Sequence, residues 1–137
     1  MQWEQLTADE FRVAARETGV CVIALGVLEK HATHLPLGTD YLNAHRIACL
    51  AAEKEPAVVF PPFYFGQIYE ALCFPGAVAL KPTLLVELLQ SVFDEIGRNG
   101  FAKIVVVYGV MINMTDYCDK CDNEFYFHQD GSYEVIS

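Results

Sequence analysis

Apolar residues follow two different periods along the first hundred residues of the chain. Short runs rich in β-branched residues occur at Val20–Leu25 and Lys103–Tyr108 and indicate buried strands of a parallel sheet. Elsewhere apolar residues recur at helical spacing, which indicates helices with one buried face. The predicted order is a helix at Ala8–Thr18, a strand at Val20–Leu25, a helix from Thr39 or Asp40 to Pro56, strands at Ala57–Phe60 and Ala77–Leu80, a helix bracketed by Pro82 and Gly100, and a strand at Lys103–Tyr108.

Local signals place the ends of these elements. Thr7 and Glu10 have the spacing of a capping box, in which each side chain satisfies a free backbone amide at the start of a helix. Gly19 stops that helix, and Pro82 suits the first turn of another. The long loop Pro61–Gly76 is rich in Pro, Gly and aromatic residues, and ordered loops of this length inside compact domains tend to be functional.

The order of elements predicts the fold class. Strands that alternate with helices form an open, mostly parallel sheet with helices on both faces, which is a three-layer α/β/α sandwich. We therefore expect an α/β fold, with residues 1–109 as the α/β domain and residues 110–137 as an acidic tail of uncertain structure.

Composition narrows the range of partners. The 137 residues include 18 acidic and 9 basic side chains, giving a net charge of −9 with no basic cluster, so nucleic acid is not an expected partner. The apolar runs fall short of the roughly 20 residues that cross a bilayer, and the first ten residues lack a signal pattern. We expect no membrane partner, a cytoplasmic location and, with five cysteines, no disulfide framework.

Chemistry-bearing residues concentrate in one loop directly after the first predicted strand. Glu29, His31, His34 and Asp40 lie within twelve residues. Alternate residues of an extended segment share a face, so Glu29 and His31 can point together, and the bend after them can return Asp40 to the same place. Carboxylate and imidazole ligands suit zinc or manganese. The alternative is that these are solvated loop residues and that Asp40 only caps a helix.

The segment Leu-Gly-Val-Leu-Glu-Lys-His-Ala-Thr-His-Leu-Pro-Leu-Gly-Thr-Asp, at 25–40, resembles the creatininase family motif Gly-Ser-x-Glu-Gln-His-Gly-x-His-Leu-Pro-Leu-x-Thr-Asp. Two further regions agree in order and spacing. The first is Pro-Pro-Phe-Tyr-Phe-Gly at 61–66 followed by Phe-Pro-Gly-Ala-Val-Ala-Leu at 74–80, and the second is 99–109. The resemblance covers roughly residues 6–109.

This resemblance implies an α/β/α protein that hydrolyses a linear or cyclic amide C–N bond. Family members use two divalent metals, usually zinc or manganese, and act on small-molecule amides. By resemblance Glu29 would hold one metal, His31 the other, and Asp40 would bridge both. His34 matches a motif position without a ligand role and would orient a ligand from behind. The resemblance also implies a homo-oligomer.

The chain departs from the family after its last predicted strand. Where the family has Asn-Gly-His-Gly-Gly-Asn, or a relative with Glu, this chain has Tyr-Gly-Val-Met-Ile-Asn at 108–113, so Val110 replaces a histidine ligand. The family domain also continues further, so we expect a truncated domain. Two metals would keep two ligands each, although one metal gathered by all three residues is also possible. The alternative to a hydrolase is therefore a degenerate member that keeps the fold with weak or absent catalysis.

Other candidate groups give weaker evidence for a functional site. Cys118 and Cys121 with His128 supply three of the four ligands that structural zinc sites use, and we expect loose thiols instead. His45 suits a packed or surface imidazole on a helix. Glu70 lies where relatives carry Glu-His, which makes it a candidate for the substrate pocket.

Overall fold

The structure is a computed structural model that describes residues 1–109 in full and, beyond them, the backbone of strands at residues 115–118, 123–127 and 133–136. Val110, Met111, Ile112, Cys121 and His128 lie outside the described residues.

Six elements form the main body of the described chain. In order they are α1 (Ala8–Thr18), β1 (Val20–Leu25), α2 (Thr39–Lys54), β2 (Val58–Val59), α3 (Pro82–Arg98) and β3 (Lys103–Tyr108). Short 3₁₀ turns occur at Trp3–Gln5 and Tyr69–Ala71. Three antiparallel strands follow, β4 (Thr115–Cys118), β5 (Asn123–Phe127) and β6 (Tyr133–Ile136). No helix among the described residues is long and apolar enough to cross a membrane.

The predicted capping box is present at the start of α1. The Thr7 hydroxyl accepts a hydrogen bond from the Glu10 amide at 3.4 Å, and the Glu10 carboxylate accepts one from the Thr7 amide at 2.9 Å. Gly19 ends the helix in the left-handed conformation, with φ of 61°, which glycine adopts without steric cost. Both ends of α1 are therefore set by local sequence.

A parallel sheet in the order β2-β1-β3 forms the middle layer. Successive side chains of β1 point to opposite faces, as in any strand. Cys21 and Val58 pack with Ile96 of α3 and with Ala14 and Ala15 of α1 on one face.

The opposite face of the sheet is covered by α2. Val22 and Ala24 of β1 pack there against Ala44 and Ala48 of α2. With α1 and α3 on the first face, the chain has the predicted α/β/α layering, and the α/β fold class is confirmed.

Three local predictions were wrong. The strand predicted at Ala57–Phe60 has only two residues, Val58–Val59, and Ala77–Leu80 forms isolated bridges to Leu28 and Gly66 in place of a strand. Helix α2 starts after Gly38, so neither Thr39 nor Asp40 caps it. The Thr39 hydroxyl instead donates to the Pro36 carbonyl at 2.6 Å.

The predicted apolar stripe of α3 is only partly buried. Ile96 is fully buried, Val92 and Phe93 are partly buried, and Leu84 is 50% exposed. The cause is the width of the sheet. Three strands at about 4.8 Å spacing cover roughly 10 Å between the outer strand axes, whereas two helices side by side need about 20 Å, so part of α3 has no strand beneath it.

Candidate metal centre

The candidate site lies at the carboxyl edge of the sheet, where β1 ends and α2 begins. Gly26 follows β1 and its amide donates to the Phe63 carbonyl at 3.3 Å. A Cβ on Gly26 would overlap the backbone nitrogen and Cα of Tyr41. The first turn of α2 can therefore approach the end of β1 only because residue 26 has no side chain.

Backbone hydrogen bonds close the loop between β1 and α2 and tie its start to Val78. The Glu29 amide donates to the Leu37 carbonyl at 3.0 Å, and the Val78 amide donates to the Leu28 carbonyl at 3.0 Å. These bonds bring Glu29, early in the loop, next to the start of the helix that carries Asp40. Ala32 turns the chain with φ of 53°, a left-handed conformation that is costly for a residue with a Cβ and that falls where the family motif has glycine.

The three residues predicted as metal ligands come together in this loop. Glu29, His31 and Asp40 each offer one ligand atom, and these atoms all lie within 4.8 Å of one another. Asp40 is buried, with 7% of its surface exposed. Its Oδ1 lies 2.8 Å from Nε2 of His31, and Nδ1 of His31 lies 3.2 Å from the Glu29 carbonyl. The loop thus encloses two carboxylates and one imidazole.

The environment of His31 favours its protonated form in the absence of a metal. Burial alone lowers the pKa of His31, but the hydrogen bond and negative charge of Asp40 outweigh it, with smaller contributions from Glu29, so the pKa lies above the ordinary value. The negative charges of Asp40 and Glu29 that favour a proton here would also attract a metal cation. Metal binding at Nε2 therefore has to displace a proton at low pH.

The donor set fits a small divalent cation. Oδ2 of Asp40 is buried and has no hydrogen-bond partner among the described residues, although a buried carboxylate oxygen normally has one. Carboxylate oxygens and an imidazole nitrogen are ligands of zinc and manganese. Ligand atoms around one such ion lie about 3.5 Å apart, and the three atoms of this group lie within 4.8 Å of one another. The group therefore has the composition and spacing of a possible metal site.

His34 and Glu70 lie outside this three-residue group. His34 is exposed on the loop. Glu70 sits in the 3₁₀ turn Tyr69–Ala71, and its Oε2 is buried. The negative charge of Glu70 acts on the hydroxyl of Tyr108 together with those of Glu29 and Asp40. Of these two residues, only Glu70 has a recorded electrostatic effect on a neighbour of the group, Tyr108.

Tyr108, the last residue of β3, was missed by sequence reasoning. Desolvation, followed by the charges of Asp40, Glu29 and Glu70, raises the pKa of Tyr108, so its phenol stays protonated. The next residue, Gly109, donates its amide to the Leu25 carbonyl at 2.9 Å. Its position was the available signal, because residues at the carboxyl ends of neighbouring parallel strands meet at one edge of the sheet.

His45 lies outside the three-residue group. His45 lies on a flank of α2 with Nδ1 3.8 Å from Sγ of Cys49. For Cys118 only the strand backbone is described.

Comparison with protein families gives one match that covers most of the chain. A family model described as "Creatininase: Creatinine amidohydrolase" matches residues 4–122. The chain is 26% identical over 108 residues to 3-dehydro-scyllo-inosose hydrolase of Thermotoga maritima, covering 78% of this chain and 35% of that protein. It is 29% identical over 116 residues to creatinine amidohydrolase of Pseudomonas putida, covering 80% and 42%. The chain thus spans less than half the length of these relatives.

Solved structures agree with this match. A tryptophan-to-phenylalanine mutant of creatininase superimposes with a TM-score of 0.73 at 25% identity, covering 79% of this chain and 45% of that one. Two further neighbours at 24% identity show the same fold. One is described as creatininase with Mn, with a TM-score of 0.69, and the other is a mutant described as the Zn-Zn type, with a TM-score of 0.70. Each covers 79% of this chain and 44% of its own.

Proposed function

Because the family model matches residues 4–122, the chain belongs to the creatininase family, and from that premise we propose that it is a metal-dependent amidohydrolase. The reaction is hydrolysis of a linear or cyclic amide C–N bond in a small molecule. The cofactor is a divalent metal, zinc or manganese, as in the two structural neighbours described with Mn and as the Zn-Zn type. The observation that carries the proposal is the clustering of Glu29, His31 and Asp40 within 4.8 Å.

We further propose that this chain holds one ion where the resemblance implies two. The three ligand atoms form a single compact group, and catalytic zinc sites commonly combine three protein ligands with one open position. Two ions about 3.5–4 Å apart need more ligands than the three that this group supplies. The substitution of Val110 for the family histidine favours the same count.

A bound divalent ion would polarise the substrate carbonyl and lower the pKa of a water molecule toward neutrality. The chain's own residues do the rest. A hydrogen bond from Nδ1 of His31 to the Glu29 carbonyl, 3.2 Å away, would orient the ring and leave Nε2 available as the ligand. Tyr108 presents a neutral O–H, which can donate a hydrogen bond to a substrate oxygen. The charge of Glu70 favours the leaving nitrogen in its protonated, positively charged form. His34 remains a proposed residue that orients a metal ligand.

A second reading is that the chain keeps the family fold without turnover. The specific observation in its favour is the sequence at 110–112, where Val, Met and Ile stand in place of ligand and small residues. Both readings predict the same fold, so metal content and hydrolysis have to separate them.

The test is metal analysis followed by an activity assay. Protein stripped with chelator and reloaded with zinc or manganese is expected to retain one ion per chain after desalting and to hydrolyse creatinine or another small amide. Glu29→Gln is expected to lose the ion, whereas Glu17→Gln, an exposed acid on α1, is expected to keep it. Two tightly held ions would contradict the one-ion proposal, and no retained ion would favour the reading without turnover.

A cytoplasmic location and a homo-oligomeric state remain predictions from the sequence and the resemblance. Cell fractionation with a tagged full chain tests the first of them.

A further inference from the structure

Lys30 lies between two of the proposed metal ligands, Glu29 and His31, and its side chain contacts an aromatic ring. Its Nζ lies 3.9 Å from the centroid of the Phe74 ring, within the roughly 6 Å at which the face of an aromatic ring attracts a cation. The creatininase motif has glutamine at this position, whereas this chain has lysine. The contact between ammonium and ring therefore comes from a residue that departs from the motif.

The Phe74 ring is itself held in place by its neighbours. It packs against the buried cluster of Val27, Ile68 and Ala71, and the Phe74 amide donates to the Ala71 carbonyl at 3.0 Å. Lys30 is half-buried, and a cation–π contact is stronger when the cation is partly desolvated than when it is fully exposed. Phe74 thus offers a fixed point to which the loop between β1 and α2 can attach.

Two further contacts join the same stretch, residues 74–78, to this loop. The Val78 amide donates to the Leu28 carbonyl at 3.0 Å, and the two residues form an antiparallel bridge. A Cβ on Gly76 would overlap Cδ1 of Leu37, so the Leu37 side chain packs directly against the backbone there. The loop is therefore held near its start and near its end, and the contact of Lys30 lies between these two points.

The loop depends on such contacts because its own conformation is costly. Ala32 has a left-handed φ of 53°, which is unfavourable for a residue with a Cβ. Residues 32–37 are exposed, and segments with few buried contacts open locally at a low free energy. A contact that forms only when the loop is closed shifts its equilibrium toward the closed form.

We propose that Lys30 is a positioning residue, whose ammonium, held over the Phe74 ring, fixes the segment that carries Glu29 and His31. Successive side chains of an extended segment point to opposite sides, so Lys30 can hold the segment from one side while its two neighbours present ligand atoms on the other. The inference rests on the proposed function, since it takes Glu29 and His31 as ligands of a divalent ion.

The charge and the contact of Lys30 have opposite effects on a bound metal ion. A positive charge next to the ligands repels a divalent cation, so removal of the charge alone would slow release of the ion. Loss of the contact with Phe74 would let the loop open more often and would speed release. The sign of the change in release rate therefore separates a positioning role from an effect of charge.

The first experiment follows the loop without a metal. The Glu29 amide donates to the Leu37 carbonyl at 3.0 Å, so its hydrogen exchange in chelator reports how often the loop opens. Lys30→Gln, which introduces the residue of the motif, is expected to speed this exchange about two- to fivefold, the range for a cation–π contact near the surface. Lys30→Arg keeps a cation and should retain most of the protection. The Phe11 amide, which donates to the Thr7 carbonyl in α1, is the reference and should not change.

The second experiment measures how fast zinc-loaded protein releases its ion to excess chelator. Lys30→Gln is expected to release zinc about two- to fivefold faster, and Phe74→Leu is expected to speed release as well. Because both substitutions remove the same contact, the double variant should release zinc no faster than Phe74→Leu alone. Lys103→Gln is the matched control. It removes a positive charge at the start of β3, at the edge of the sheet opposite the candidate site, and should leave the release rate unchanged.

The outcomes distinguish the positioning role from the proposed function. Unchanged exchange of the Glu29 amide in Lys30→Gln, slower release of zinc by that variant, or additive effects of the Lys30 and Phe74 substitutions would each overturn the positioning role. A wild type that retains no ion, with exchange at Glu29 still faster in Lys30→Gln, would support the role of Lys30 in the loop and would refute the proposed metal-dependent function instead.

Discussion

Replacement of Asp40 by Asn tests the candidate metal centre most directly. The substitution keeps the size of the side chain but removes its negative charge and one of its ligand oxygens. Asp40 is 7% exposed, its Oδ2 is buried without a hydrogen-bond partner among the described residues, and its Oδ1 lies 2.8 Å from His31. If these three observations describe a metal ligand, the folded protein should gain stability from the ion only when Asp40 is present.

The size of the effect follows from binding to the folded state alone. Free metal at a hundredfold excess over its dissociation constant stabilises the fold by about 2.7 kcal/mol. For a chain of this length, about 1 kcal/mol raises the melting temperature by roughly 4 °C, so the wild type should gain about 10 °C. We expect Asp40→Asn to gain less than about 3 °C under the same conditions, because an amide oxygen is a weaker ligand than a carboxylate.

The assay is calorimetric melting of chelator-treated protein with and without zinc or manganese. Asp94→Asn, an exposed acid on α3, is the matched control and should gain as much as the wild type. The metal-free melts serve as the baseline, because loss of the charged hydrogen bond to His31 by itself costs about 1.5–3 kcal/mol. An equal gain in Asp40→Asn and the wild type would refute the reasoning.

Three further predictions concern residues around the centre. The pKa of His31 is raised, so its contribution to metal-free stability should be full below the ordinary value of about 6.5 and be lost as pH rises through the raised value. Denaturation in urea at several pH values should show this loss in the wild type and not in His31→Gln. Gly109→Ala should destabilise the fold by about 1–3 kcal/mol, because the new Cβ would overlap the start of α2. Gly97→Ala, whose Cβ would meet nothing within 4 Å, should stabilise the fold by about 0.5–1 kcal/mol. Equal urea midpoints for the two variants would contradict this expectation. Ala32→Gly should stabilise the fold by about 0.5–1 kcal/mol in the same assay by relieving a left-handed φ of 53°, and a loss of stability would show that the strain is absent.

The layering of the fold was predictable because its strongest signals are local. The apolar runs of β1 and β3 are long enough to be strands and too short to be helices, and Pro82 and Gly100 bracket α3. The clustering of Glu29, His31 and Asp40 was also expected, since a bend between residues in one loop needs only a few turn-forming positions to close it. Their role as metal ligands stays a prediction.

Features that depend on distant contacts were not predictable. Residues Ala77–Leu80 have the composition of a strand but meet only loop backbone, so single bridges form. Tyr108 lies far from the motif along the chain and approaches it only when β3 pairs with β1. The strands β4–β6 are short and contain acidic residues, and therefore leave no apolar run long enough to be recognised.

The two glycines at the ends of β1 and β3 also bear on how this site could change over time. The backbone of Tyr41 packs directly against Gly26, and the backbone of Asp40 packs directly against Gly109. The first turn of α2 is therefore in close backbone contact with the ends of both strands. No backbone or side-chain hydrogen bond from residues 32–35 to the first turn of α2 occurs in the described structure. Insertions, deletions or designed sequences could therefore remodel the loop and the opening above the carboxylate while Asp40 stays in place, which makes this turn a fixed anchor for engineering new specificities.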